Sequence, residues 1–302
     1  MMEITPDGNS FLVTETRRRR RRRRIALFGL SANPITDRGG HGDLIKHLIS
    51  NTKLSSSSSS IDEVWIVPVF RHAYEQKNRT MKLVTNNIEK VPDFNERLEM
   101  CEIQFNEEEE EEEEDMNKIP VKVKRIELEA TEWKRKQTGD DNAQVIGTFE
   151  LLEYLRKNLE ETTTTTTEYT LVLGRDAYDD LVNDKWIRGD EILETTNIIV
   201  VPRITTDDDK NVHDNNDNNN NNNDTDNAKY DDNNEQKDAE EESCKLSSSA
   251  AVIFLSSADV PGLRNVSSTT VRELIKNGMK PSAIEELNPK VARYIEENSF
   301  YV

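Results

Sequence analysis

Cysteine is nearly missing from this chain. Cys101 and Cys244 are the two it has in 302 residues, too few for a disulfide framework, and a reducing compartment is the natural setting. Long apolar runs are missing as well. No window approaches the ~20 apolar residues that a membrane-spanning helix needs. The opening MMEITPDGNSFLVTET carries no apolar stretch of the secretory kind. The expectation is a soluble cytoplasmic or nuclear protein with no membrane partner. Several tracts hold few apolar residues or none: Arg17–Arg24, Ser55–Ser60, Glu107–Glu114, Thr162–Thr167, and an Asp/Asn-dominated stretch from about Ile204 to Ser249. Such tracts hold too little apolar surface to offset the entropy of ordering them. They are expected to be disordered low-complexity segments: an Arg-rich tail over 1–24 and an Asp/Asn-rich insertion over 204–250. A single domain made of 25–203 and 251–302 remains.

A surplus of basic charge is also missing. The formal net charge is −19, of which the Asp/Asn stretch carries −10, the run Glu107–Asp115 carries −9 and the arginine run +8. The −8 left over the rest is unexceptional, so charge describes solvated loops and implies no nucleic-acid partner. The Arg17–Arg24 run reads equally as a nuclear-import signal, an anion-binding arm or a low-complexity lead-in.

What is present is an alternation of short apolar runs with helical periodicity. Ile25–Gly29 (IALFG) reads as a buried strand. Gly40–Ile49 reads as a helix with Leu44, Ile45, Leu48 and Ile49 on one face. Strands are expected at Val64–Val69, Val121–Leu128, Tyr169–Gly174, Asn197–Pro202 and Val252–Leu255, and helices at Asn95–Phe105 and Thr148–Leu159. Two more helical patterns close the chain. Near-continuous apolar strands separated by helices argue for an α/β fold, a Rossmann-like doubly wound parallel sheet of five or six strands with C-terminal helices. In such sheets ligands bind beyond the carboxyl ends of the strands.

Two of those ends carry phosphate-binding chemistry. The first strand runs into Gly29-Leu30-Ser31-Ala32-Asn33-Pro34-Ile35-Thr36, then Asp37-Arg38-Gly39-Gly40-His41-Gly42. This loop enters a helix whose free amides and positive dipole end suit a phosphate. Gly29 and Gly40 let it approach the backbone, and His41 can donate to a phosphoryl oxygen. By spacing alone His41 reads equally as an ordinary helix-start residue. After the last strand, Ser267, Ser268 and Thr269 begin a capped helix that carries Arg272 on its first turns. Gly174-Arg175-Asp176 follows the fourth strand.

Taken together, these segments resemble the HIGH superfamily of nucleotidyltransferases. Thr36 to His41 resembles its T/HxGH signature, Ser267–Arg272 its SSTxxR partner, and Gly174–Asp176 its GxD motif, with Trp186 beyond. Pro68–Arg97 (PVFRHAYEQK…FNERLEM) and the closing PKVARYIEENSFY are similar to the enzymes that adenylylate nicotinate or nicotinamide mononucleotide. Two positions depart from that pattern: three residues separate Thr36 from Gly40-His41 where one is usual, and Leu30 stands where glycine is common.

The resemblance implies adenylyl transfer from ATP to a pyridine mononucleotide, with release of pyrophosphate. His41 and Thr36 would meet the α/β-phosphates, and Ser267, Ser268, Thr269 and Arg272 the β/γ-phosphates. Ser31 would meet the acceptor phosphate, Asp176 a ribose hydroxyl, with Gly174 beneath. Mg²⁺ would arrive with ATP, held by its oxygens and water, with no protein metal ligands. His72, Lys77 and Arg97 would line the acceptor entrance. Trp133 would either stack on the pyridine ring or pack against a neighbouring loop, and Trp186 would pack beneath the Asp176 loop. Other acceptors on the same fold, phosphopantetheine or a cytidylyl-type reaction, and nucleotide binding without turnover remain alternatives.

Overall fold

A computed structural model describes residues 22–50, 61–71, 90–105, 119–139, 145–159, 166–202 and 250–302. Six strands form one all-parallel sheet: β1 (Arg22–Leu30), β2 (Glu63–Pro68), β3 (Val121–Val123), β4 (Thr166–Gly174), β5 (Asn197–Val201) and β6 (Val252–Phe254). Their order across the sheet is β3-β2-β1-β4-β5-β6. The helices are α1 (His41–Ser50), α2 (Phe94–Phe105), α3 (Ile126–Thr138), α4 (Thr148–Leu159), α5 (Arg175–Val182), α6 (Gly189–Thr195), α7 (Ser268–Lys276) and α8 (Pro289–Asn298). Among the described residues no helix is long and apolar enough to cross a membrane.

The period-two geometry of a strand sends alternate side chains to opposite faces, and here both faces are covered. Ala26, Phe28, Val64, Ile66, Val172 and Ile199 share one core with α1, α2, α7 and α8, through Leu44, Leu48, Met100, Val271, Val291 and Ile295. Ile25, Leu27, Trp65, Tyr169, Leu171 and Ile198 share the other with α3, α4, α5 and α6, through Ile126, Phe149, Leu152, Leu181 and Ile192. This is the doubly wound, Rossmann-like arrangement expected from the apolar runs. Chain order reverses between β1 and β4, so the crevice for a ligand lies beyond Leu30 and Gly174.

Three strand ends differ from the sequence reading by three residues or more, among them that of β4, which begins at Thr166, inside the threonine run, rather than at Tyr169. Strand β1 begins at Arg22, not Ile25, so the arginine run is not all tail. Arg22, Arg23 and Arg24 pair in register with Thr166, Thr167 and Glu168, and Arg23 donates to the buried carboxylate of Glu63. Strand β3 stops at Val123 rather than Leu128. Ile126 and Ala130 are buried one helical turn apart, and Glu127 and Glu129 sit in the first turn of α3, where the dipole favours acids. The 3.6-residue period therefore prevails over the short apolar run.

Candidate active site

The loop after β1 is buried from Ala32 to Thr36 and contains a cis Asn33–Pro34 peptide. It brings Thr36 against His41 despite the longer spacing. Gly40 N–H donates to the Asp37 carbonyl at 3.1 Å, closing a tight turn through which Asp37-Arg38-Gly39 loop outward. A Cβ on Gly40 would lie 2.2 Å from Thr36 Oγ1, so only glycine lets the two ends of the motif meet. Gly39, at φ +68°, accepts from Arg264 N–H at 2.8 Å.

Thr36 settles the state of His41. The Thr36 N–H donates to His41 Nδ1 at 3.2 Å, and the Thr36 hydroxyl lies 2.7 Å from the same atom. An acceptor at Nδ1 leaves the hydrogen on Nε2. Burial lowers the imidazole pKa to about 4, although part of its surface still meets solvent. His41 is therefore a neutral donor through Nε2 at physiological pH.

The start of α1 differs from the expectation. Its amides are not free: Gly42 N–H donates to Thr36 O at 3.1 Å, Asp43 N–H to Asp37 O at 3.2 Å, and His41 N–H to Thr36 Oγ1 at 3.3 Å. The longer loop caps its own helix, so an anion would be met here by the imidazole rather than by the backbone. The start of α7 is open. Ser267 caps it by accepting from Thr270 N–H at 3.1 Å, while the amides of Ser268 and Thr269 have no partner among the described residues.

The two motifs meet. Arg272 donates through Nη1 to the Asn33 carbonyl at 2.5 Å and through Nη2 to Thr269 Oγ1 at 3.0 Å. The Ser268 hydroxyl donates to Pro34 O at 2.7 Å. Residues 234 positions apart thus share one loop. Beside them Gly174, Arg175, Asp176, Ala177, Pro202, Leu263, Arg264 and Asn265 line a cleft of about 310 Å³. Gly174 caps α5, and no atom would obstruct a Cβ on Gly174 or on Gly29, so the crevice is open at the reversal of strand order.

The acceptor-side residues are not brought together in the same way. His72 and Lys77 lie outside the described residues. Arg97 is buried rather than at an entrance: its guanidinium holds the carbonyls of Ser31 at 2.7 Å and Phe70 at 3.4 Å. Among the described residues no carboxylate lies within ion-pair distance of it, and a buried cation then needs such dipoles. Trp133 lies on α3, where its ring tilts against Tyr154 at 5.8 Å between centroids with Lys157 over its face. Trp186 packs against the core beneath α5.

Sequence reasoning missed three participants. Glu127 accepts from Phe70 N–H at 2.6 Å, and burial raises its carboxyl pKa to about 7 against the opposing pull of that amide and of Arg97. Asn33 carries the carbonyl that Arg272 grips, and Arg264 faces the cleft. Only Arg264 left a signal, a basic residue three positions before the helix cap.

No protein-family profile matches the chain, and no curated protein sequence does. Among solved structures the chain is similar to the nicotinic acid mononucleotide adenylyltransferase of Plasmodium falciparum complexed with APC. The identity is 15% and the TM-score 0.49, over 92% of this chain and 97% of that one. It is also similar to the same enzyme complexed with NaAD, at 15% identity and a TM-score of 0.48 over the same shares. Likeness at that level assigns no chemistry, which rests on the side chains described above.

Proposed function

We propose that this chain transfers the adenylyl group of ATP to nicotinate or nicotinamide mononucleotide. The observation that carries the reading is the meeting of His41, Arg272 and the open start of α7 on one loop, at the point where strand order reverses. That is an arrangement for holding a chain of phosphates. Resemblance of Pro68–Arg97 and of the closing helix supports the pyridine mononucleotide as acceptor.

In this reading a phosphate oxygen of the acceptor attacks the α-phosphorus of ATP. A P–O bond forms there as the bond to the β-phosphate breaks, and pyrophosphate leaves with the electron pair. Catalysis is then positioning and neutralisation of charge. His41 Nε2–H donates to a phosphoryl oxygen, and being neutral it yields no proton. Arg272, with the amides of Ser268 and Thr269 and the Thr269 hydroxyl, receives the β/γ-phosphates, and Ser31 meets the acceptor phosphate. Asp176 at the cleft accepts from the ribose. ATP enters as its Mg²⁺ complex, with the ion on phosphate oxygens and water; among the described residues no group of three His, Cys, Asp or Glu is placed to hold a metal.

The test is pyrophosphate release with ATP and Mg²⁺, each mononucleotide offered in turn. Release with either supports the reading, and the ratio of kcat/KM values names the acceptor. ATP binding without release from either would refute it, in favour of another acceptor or a nucleotide-binding protein without turnover.

A further inference from the structure

The end of the chain has an unusual conformation. Ser299, the cap of α8, has φ 54°, and Tyr301 has φ 64°. A bulky aromatic residue in the left-handed region is a genuine outlier, and persists only where its surroundings over-determine it. They do so here. Phe300 and Tyr301 are buried, at 0% and 1% exposure, while Val302 beyond them is 73% exposed. Tyr301 N–H donates to Lys90 O at 3.0 Å. Its hydroxyl donates to Asn33 Oδ1 at 2.6 Å, a fully buried bond across 268 residues.

Asn33 is the residue whose carbonyl holds Arg272. One residue therefore receives the end of the chain on its side chain and the phosphate-site arginine on its backbone. Its neighbours Pro34 and Thr36 receive Ser268 and His41. The tyrosine ring fills core space that phenylalanine would fill as well. What phenylalanine lacks is the donor to Asn33, whose amide oxygen would be left buried and unpaired.

We propose that Tyr301 is a positioning residue for the phosphate-binding loop, acting through Asn33 to hold the carbonyl that aligns Arg272. The substrate named in the test rests on the adenylyl-transfer reading, while the coupling itself is read by nucleotide binding.

The experiment compares the full-length parent with Tyr301→Phe, Asn33→Ala and the double variant. Thermal melts, the affinity for a non-hydrolysable ATP analogue, and KM values for both substrates are measured. The expected result is that Tyr301→Phe melts cooperatively and binds the analogue about tenfold more weakly. KM for ATP rises in parallel, and KM for the mononucleotide changes less than threefold. The double variant should bind no more weakly than the weaker single one, because both changes remove the same link. Analogue affinity of Tyr301→Phe within twofold of the parent would overturn the proposal, as would an equal rise in both KM values or additive losses in the double variant. Should Tyr301→Phe fail to fold, Asn33→Ala decides alone: a tenfold loss supports the link and unchanged affinity overturns it. A parent that binds the analogue yet turns over neither mononucleotide removes the adenylyl-transfer reading and leaves the binding comparison to decide Tyr301. A parent that binds no analogue overturns both.

Discussion

The two edges of the sheet treat positive charge differently. At the amino edge cations face carboxylates. Glu63, almost wholly buried, is bridged by Arg23 and, at 2.8 Å, by Lys122. At the carboxyl edge two guanidinium groups instead hold main-chain carbonyls, Arg97 those of Ser31 and Phe70 and Arg272 that of Asn33, while Arg175 pairs with Asp179 at 2.9 Å. The side chains of Arg38 and Arg264 have no hydrogen-bond or ion-pair partner among the described residues. A carboxylate cancels a guanidinium's charge, whereas a carbonyl orients it and leaves the net charge for an incoming anion. The amino edge is thereby a structural clasp, and at the carboxyl edge Arg272 keeps its charge for the proposed phosphates.

Substitutions that act on one edge only would break or sharpen this contrast. The largest effect is expected from His41→Ala, which removes a neutral donor already aimed by Thr36. Turnover should fall ~10²-fold or more with the fold intact, and a kcat within threefold of the parent would take His41 out of the chemistry. Arg272→Lys keeps the charge but loses the fork that grips Asn33 and Thr269 together. A drop of about tenfold in kcat/KM for ATP is expected, and full activity would show that charge alone suffices. Glu63→Gln probes the other edge. It should lower stability by ~1–2 kcal/mol, a modest figure because Arg23 and Lys122 are themselves half exposed. Its kcat/KM should stay within twofold of the parent, and a tenfold loss of activity would end the separation of roles.

The smallest effect concerns pH. Burial raises the Glu127 carboxyl to about 7 from an ordinary 4.5. Between those values the folded chain binds the proton that the unfolded chain has released, so stability falls as pH rises from about 4.5 through 7. Glu127→Gln can still accept from Phe70 N–H but cannot ionise. It should flatten that slope in denaturation curves compared at pH 5 and pH 8, and parallel slopes for the two proteins would show that Glu127 titrates normally. His41, depressed to about 4 from 6.5, contributes with the opposite sign: stability is lost as pH falls through that window.

Much of the architecture was legible because buried parallel strands announce themselves as apolar runs. YTLVLG and NIIVV became β4 and β5, and Phe149, Leu152 and Leu155 mark the buried face of α4 as their spacing implied. The overrun of β3 shows the limit, since Val121–Leu128 satisfies a strand period and a helix start at once. The site was legible as motifs and much less so as contacts. That Thr36 reaches His41 depends on a turn that only Gly40 permits, which spacing cannot express. That Arg97 is buried, and that Asn33 joins Arg272 to Tyr301, depend on packing between segments far apart in the chain. No local pattern encodes such meetings.

The parallel sheet also has a consequence for how this gene can change. Every strand is entered at the amino edge, and four of the five homopolymeric runs precede or begin a strand: arginines at β1, serines before β2, glutamates before β3 and threonines at β4, with Asn218–Asn223 between β5 and β6. The arginines and threonines that begin β1 and β4 pair with each other at the edge opposite Thr36, His41 and Arg272, so a change in the length of those two runs would leave the site's own residues in place.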